Sequence, residues 1–247
     1  MNFNILRFDT IDSTNSEAAR QAKLGADEGL CIIARQQTNG RGRHGRSWVS
    51  EKDAGLYFSI VLRPRIDARF LPLITLMTGV AVYDTLKEFD LKPDIKWVND
   101  ILIEDKKICG ILAETIDTPT GLAVIDGVGI NLTSRNFPDE IFDTATSIDN
   151  VSATGTITNT DVEIALTKYL GYWYAILCGE NGSAKILEEW QRRSSYFIGK
   201  NVRVALEREV FEGVTDGLEE NGALRVRMSD GSLRVVQAGE VERLRKS

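Results

Sequence analysis

GRGRHGR, Gly40–Arg46, satisfies the pattern G-x-G-x-x-G through glycines 40, 42 and 45, with Arg41, Arg43, His44 and Arg46 set around them. In a dinucleotide-binding fold such glycines open a helix whose N-terminus holds the pyrophosphate. Here Ser47-Trp48-Val49-Ser50 and then Glu51-Lys52-Asp53-Ala54-Gly55 follow, with no helical start. The flanking runs, LCIIARQQ (30–37) and AGLYFSIVLRP (54–64), are apolar and β-branched and predict strands, the second ended by Pro64. The segment therefore joins two strands, and the doubly wound nucleotide-binding reading fails on context.

Outward from the loop, residues 3–8 predict a strand and DSTNSEAARQAKLG (12–25) a helix, with Thr14 and Glu17 fitting a capping box and Gly25 a stop. Residues 71–89 carry Leu73, Leu76, Met77, Val80 and Leu86 at helical spacing, with Pro72 near the first turn. DIKWVND, ILIEDKK, ICGILAETI and GLAVIDGVGINL then predict short strands, with turns at Glu104-Asp105 and Thr118–Gly121. This middle portion reads as a mixed, largely antiparallel sheet, the signature of an α+β fold. Residues 133–160 read as a polar connection, followed by helices in DVEIALTKYLGYWYAILCG and SAKILEEWQRR. From Phe197 the texture changes to closely spaced strands, with Gly213, Asn221-Gly222 and Asp230-Gly231 as turns, which suggests a small barrel. The expected division is 1–196 and 197–247.

With 247 residues, 27% charged and 43% hydrophobic, the chain reads as an ordinary globular protein able to bury a sizeable core. Its net charge of −6 argues against a general nucleic-acid-coating surface, so any anion site must be local. Cys31, Cys109 and Cys178 are odd in number and widely spaced, which predicts reduced, core or half-buried thiols and no zinc site. The N-terminus lacks an apolar signal region, and the most apolar stretch, residues 71–89, is too polar for a membrane span. A soluble, cytoplasmic protein is expected.

A solvated surface loop or an RNA-binding arginine-glycine segment are the plainer readings of Gly40–Arg46. The segment is single, lies between apolar strands and belongs to an acidic chain, which favours a loop that closes on an anionic ligand. Glycine permits close backbone approach, and arginine binds phosphate and carboxylate bidentately. Three further segments converge on this idea. KWVND (96–100) is either a hairpin turn or a polar corner facing a ligand or Mg²⁺. In KKICGIL (106–112) the small Gly110 would let a ligand lie beside the Lys107 amine. GVGINL (127–132) puts two glycines in what should be a central strand, as when a ligand packs against the backbone.

DSTN (12–15), QTNGRGRHGRSW (37–48), KWVND, KKICGIL and GVGINL together closely resemble the biotin protein ligase family, in order and spacing, and the resemblance extends over nearly the whole chain. It implies a class II aminoacyl-tRNA synthetase-like (biotin–lipoate ligase) catalytic domain and a C-terminal SH3-like β-barrel. The implied reaction is activation of biotin with ATP and Mg²⁺ to biotinyl-5′-AMP, then transfer to a lysine of a biotin carboxyl carrier protein. Two positions depart from the family pattern: Val98 stands where proline is common and His44 where arginine is frequent. Some members carry an N-terminal DNA-binding domain. This chain starts at the catalytic region, so ligase without repressor activity, and no DNA or membrane partner, is expected.

By the same resemblance, Lys107 bridges the biotin carboxylate and the α-phosphate, Arg43 holds this region, and Arg41 and Arg46 meet carboxylate, phosphate or pyrophosphate. Ser13, Thr14 and Gln37 take the ureido head; Gly40 lies with them, and Gly110, Gly127 and Gly129 shape the floor. For Ser13 and Thr14 the plainer role is helix capping. Trp48 and Asn131 fall to the adenine side, Asn99 to nucleotide or metal, and Asp100 to metal or the incoming lysine. His44 is given a loop contact. The nearest alternative is a lipoate or octanoate ligase or transferase; a non-catalytic nucleotide- or RNA-binding module and an enzyme relic are more distant ones. Exposed sheet edges leave a homodimer compatible with the sequence.

Overall fold

The computed structural model describes residues 1–135, 137–153 and 156–243. In chain order come β1 (Asn4–Ile11), α1 (Thr14–Lys23), β2 (Leu30–Gln37), β3 (Gly55–Leu62) and α2 (Leu73–Glu88). The hairpin β4 (Asp94–Lys96) and β5 (Asp100–Ile103) leads to the long strands β6 (Lys106–Thr118) and β7 (Gly121–Asn131). Two short helices, α3 (Asp139–Phe142) and α4 (Ile148–Val151), precede α5 (Asn159–Leu177) and α6 (Gly182–Arg192). The connection expected over 133–160 thus holds two helical turns, with residues 136, 154 and 155 outside the described residues.

The seven strands form one sheet in the order β1-β2-β3-β7-β6-β5-β4, parallel only between β1 and β2. One face is covered by α2, α5 and α6 over a core that includes Phe58, Met77, Val128 and Trp190. Because α2 lies between the sheet and the outer helices, most of its positions are buried, and it lacks the one-sided pattern of a surface helix. On the other face the small residues Ala18 and Ala22 of α1 lie close to Val61 and Ile125. This cover stops short of Gly127, Gly129 and Gly110. A helix packed over half a face leaves the other half open, and the open half is where the candidate site lies.

The C-terminal strands β8 (Ile198–Ala205), β9 (Val210–Leu218), β10 (Leu224–Arg227), β11 (Leu233–Val236) and β12 (Glu240–Arg243) form an antiparallel sheet, ordered β11-β10-β9-β8-β12. It matches the expected SH3-like unit, with one correction. Gly213 lies inside β9, where a Cβ would come 2.6 Å from the Arg227 carbonyl, so close strand packing and no turn explains it. The Asn221-Gly222 turn packs on α2, its Gly222 against Leu73 and Leu76, and the Trp97 indole donates to the Gly222 carbonyl at 3.0 Å. The last strand is thereby held beside the site.

Two further expectations need correction. Ser13, not Thr14, caps α1, accepting from the Ser16 amide, so the Thr14–Glu17 capping box is absent. Cys31 and Cys109 are buried as expected, but Cys178 is exposed, because it follows the last residue of α5.

Asp126 lies on the α2 face of β7, fully buried, accepting from the Thr78 hydroxyl at 2.6 Å, with its second oxygen unpartnered among the described residues. Burial pushes its pKa up to about 7. Between about pH 4 and that value the native state holds a proton that the unfolded chain has released, so stability falls as pH rises and stays low above it. Asp126→Asn keeps an acceptor for Thr78 and removes the charge. It is expected to flatten this dependence and to raise stability at pH 8 by on the order of a few kcal/mol. Thermal melts of both proteins at pH 5 and pH 8 check this; a lower melting temperature for the variant at pH 8 would refute it.

Candidate active site

The floor is set by strand register. Gly129 of β7 lies opposite Gly110 of β6 and Tyr57 of β3, and Gly127 lies opposite Leu112 and Ser59. Directly opposed residues share a face, so three glycines leave a flat patch of bare backbone beyond the end of α1. On it rests the Trp48 ring: a Cβ at Gly129 would fall 2.5 Å from that ring and one at Gly110 2.8 Å. Two cavities adjoin here, of about 210 Å³ and 520 Å³. Arg46, Ser47, Trp48, Lys96, Asp100 and Lys107 line both.

The glycine-arginine loop folds over the first cavity as a closed turn. Its base is tied by the Trp48 amide donating to the Gly40 carbonyl at 2.9 Å, and its tip by the Gly42 amide donating to Arg46 at 2.7 Å. His44 and Gly45 both take positive φ, +54° and +74°, which reverses the chain at the tip. Three arginines leave the loop for three different elements. Arg41 pairs with Glu114 of β6 at 2.6 Å, Arg46 with Glu240 of β12 at 2.6 Å, and Arg43 donates to Asn99 at 3.2 Å. The first two pairs are largely exposed and worth little as stability. Arg43 is different: burial pulls its pKa below the ordinary arginine value, and Asp100 and Glu240 oppose the shift. Such a desolvated cation is held ready for an anion.

KWVND forms the β4–β5 hairpin, so the turn reading holds, and this turn also faces the cavity. Lys96 and Asp100 are opposed, and Asp100 accepts from Lys107 at 2.6 Å with Lys96 at 3.7 Å. Asn99 donates to the Ile111 carbonyl at 2.9 Å, which leaves its oxygen toward Arg43. The Lys107 amine stands 5.3 Å from the centre of the Trp48 ring. Its own strand is held by the segment after α3, the Lys107 amide donating to Thr144 and its carbonyl accepting from Thr146.

At the far end of the first cavity the groups are uncharged. Gln37 accepts from the Thr14 amide at 2.8 Å and hydroxyl at 3.1 Å, and donates to Ser50 at 2.7 Å. Ser50 donates to the Trp48 carbonyl at 3.1 Å. Behind Thr14, the buried Ser59 hydroxyl reaches Thr14 at 2.8 Å and Asn15 at 2.6 Å. Asn15 in turn donates to the Leu112 carbonyl and to Glu114, each at 3.0 Å.

Most of the expected residues therefore converge. Ser13, Thr14, Gln37, Arg41, Arg43, His44, Arg46, Trp48, Asn99, Asp100, Lys107, Gly110, Gly127 and Gly129 all line the first cavity. Asn131 lines only the second, donating to the Thr146 carbonyl at 2.9 Å. Gly40 is on neither wall; a Cβ there would lie 2.3 Å from the Trp48 carbonyl, so it closes the loop base. Sequence reasoning missed Asn15, Ser59, Glu114, Lys96 and the β12 pair Glu240 and Glu242, which also line the first cavity or support it. Ser59 was detectable as the lone polar residue in LYFSIVL, and Glu114 by alternation from Gly110. Nothing local marks the β12 acids.

Comparisons with known proteins show the family and the fold. Residues 8–131 match the biotin/lipoate A/B protein ligase family, and residues 197–244 the biotin protein ligase C-terminal domain. The bifunctional ligase/repressor BirA of Bacillus subtilis is 33% identical, covering 96% of this chain and 74% of that protein. The biotin–[acetyl-CoA-carboxylase] ligase of Paracoccus denitrificans is 31% identical, covering 93% of this chain and 96% of that one. A biotin protein ligase from Aquifex aeolicus, solved in complex with biotin and ATP, superposes with a TM-score of 0.83 at 27% identity, over 98% of this chain and 99% of that one. With sheet, glycine floor, arginine loop and C-terminal strands all accounted for, the chain belongs to the biotin protein ligases of the biotin/lipoate A/B protein ligase family.

Proposed function

We propose that this chain condenses biotin with ATP to biotinyl-5′-AMP and passes the biotinyl group to a lysine of a biotin carboxyl carrier protein. The observation that carries the reading is the position of Lys107, an amine at the neck shared by a cavity with an uncharged polar end and a second, wider cavity. Biotin fits the first, with its ureido ring at Thr14 and Gln37 and its carboxylate toward Lys107; the nucleotide fits the second.

In the first step a biotin carboxylate oxygen bonds to the α-phosphorus while the bond to the β-phosphate breaks and pyrophosphate leaves. Two anions meet, so charge stabilisation is the main requirement. Lys107 faces both anions, and Arg43 and Arg46 add positive charge from the closed loop. Entry of substrate would move the Lys107 ammonium from Asp100 to the reacting oxygens. In the second step a neutral lysine amine attacks the acyl carbon, AMP leaves, and the proton is released. Asp100, freed of Lys107, is a carboxylate on the wall shared by the two cavities and is placed to accept it. The loop turn over the cavity and the Trp48 ring keep water from the mixed anhydride between the steps.

Mg²⁺ fits the protein groups poorly. The described residues hold no cluster of three metal-ligating side chains, so Asp100 would be at most one protein ligand. Magnesium is commonly bound through substrate phosphates with few protein ligands, and it would enter here on the nucleotide. No helix among the described residues is long and apolar enough to cross a membrane, which is compatible with a cytoplasmic carboxylase carrier as acceptor. The open edge of β1 is a surface for strand pairing with the carrier or a second copy.

The test is mass spectrometry of the purified protein after incubation with biotin and MgATP, with lipoate in parallel. A retained biotinyl-adenylate, absent with lipoate, is expected. An adenylate from lipoate alone would move the chain to the lipoate branch, and none from either would end the ligase reading.

A further inference from the structure

The neck between the two cavities carries an acid that the adenylation step does not call for. Glu242 of β12 lines both cavities, as Arg46, Lys96, Asp100 and Lys107 do. Strand alternation puts it there. Val241 is buried in the core, so Glu240 and Glu242 lie on the other side of β12, roughly 7 Å apart along the strand. Glu240 is taken by Arg46 at 2.6 Å, and Asp100 by Lys107 at 2.6 Å with Lys96 at 3.7 Å. Glu242 is exposed and has no hydrogen-bond or ion-pair partner among the described residues. Arg203 of β8 lies opposite it without closing an ion pair, and faces Glu212 of β9 on its other side.

An unpaired carboxylate opposes the first step, because biotin and the triphosphate are both anions and a negative wall repels them. After pyrophosphate leaves, the requirement inverts. The next group to enter is a lysine side chain, a cation at neutral pH. It must come from solvent to the neck, past Arg46, Lys96 and Lys107, all of its own sign. Resting on the biotin reading above, we propose that Glu242 is the acceptor-binding residue of the second step: its carboxylate takes the ammonium of the carrier lysine at the neck and offsets the repulsion of these cations. Glu242 accepts no proton. A carboxylate beside an ammonium favours the charged form, so Glu242 gathers the acceptor and does not activate it. The proton passes to Asp100, the amine nitrogen then bonds to the acyl carbon, and the bond to the phosphate oxygen breaks with its electron pair going to AMP. The two carboxylates common to both cavities thus divide the work, one for binding and one for the proton.

The test loads the full chain with biotinyl-adenylate, removes free ATP and pyrophosphate, and compares wild type with Glu242→Gln, an exposed and nearly isosteric change. Three nucleophiles are offered: the carrier protein, Nα-acetyl-lysine amide as a lysine without the carrier's fold, and hydroxylamine, which is uncharged at neutral pH. In Glu242→Gln the second-order rate of transfer should fall about fivefold for the carrier and for the lysine amide. The maximal rate at saturating carrier and the rate with hydroxylamine should not fall, and raising the salt should shrink the difference between the two proteins. A general disturbance of the site would slow hydroxylamine as well, and that result overturns the inference. Loss confined to the carrier puts Glu242 against another part of the carrier domain and overturns it too. So do equal rates with all three nucleophiles, or a raised KM for ATP in adenylation with transfer unaffected. A wild-type protein that forms no adenylate overturns the biotin reading itself, and this is seen before any acceptor is added.

Discussion

Lys107→Ala is expected to leave a folded protein that forms biotinyl-adenylate about 10²–10³-fold more slowly, the usual cost of removing one preorganised charge-stabilising donor. Lys107 is about one-third exposed, so its loss opens no cavity in the core. Its partner Asp100 keeps Lys96 at 3.7 Å, so no uncompensated buried carboxylate remains. The defect should therefore fall on turnover. The ureido end of the cavity does not involve Lys107, and biotin affinity should change far less than the rate. Lys107→Arg keeps the charge but should rescue only part of the activity. The amine sits 3.2 Å from where a Gly110 Cβ would be, and a wider guanidinium cannot settle against that strand as a point charge does. Single-turnover formation of adenylate, with melting curves as the fold control, decides the matter. A Lys107→Ala rate within threefold of wild type would remove Lys107 from the chemistry.

How much of this was legible in the sequence depends on the range of each interaction. The sheet strands declared themselves through apolar runs and turn residues, and the loop through a pattern whose missing helix excluded the familiar fold. Lys107, Gly110, Gly127 and Gly129 were readable because strand alternation is local: glycine where a central strand wants a branched side chain marks a close approach. Ser13 and Thr14 could each have been a helix cap, and only the register of α1 against β3 divides the roles, Ser13 capping and Thr14 meeting Gln37 and Ser59. Glu240 reaches the loop across 194 positions of chain to pair with Arg46, and no periodicity encodes that. Gly213 misled because a glycine in a sequence of short strands signals a turn as readily as a strand crossing.

Gly129→Ala is expected to lower biotin affinity and adenylation by about 10²-fold, the scale on which a displacement near 1 Å in a preorganised site acts, with little change in the melting temperature. The added methyl would fall 2.5 to 2.8 Å from three atoms of the Trp48 indole, where carbon atoms normally rest ~3.5–4.0 Å apart. The ring has no slack to absorb this. It also spans Gly110, where a Cβ would be 2.8 Å away, and its carbonyl is held by Ser50 in the chain that ends at Gln37. Lifting the ring therefore moves the loop, the Lys107 amine beneath it and the ureido end together. The other three tryptophans, at positions 97, 173 and 190, are buried, and Trp97 also lines the first cavity, so a Trp48→Phe control isolates the Trp48 part of the emission. A red-shifted emission in Gly129→Ala, and loss of the change that biotin produces in wild type, would locate the defect at the ring. Val124→Ala supplies the contrast, since Val124 lies on the same strand but faces the α2 core. It should cost about 1–3 kcal/mol of stability and leave biotin affinity alone. If the two variants behave alike, both losing stability or both losing affinity, the glycine patch is ordinary packing and the ligand lies elsewhere.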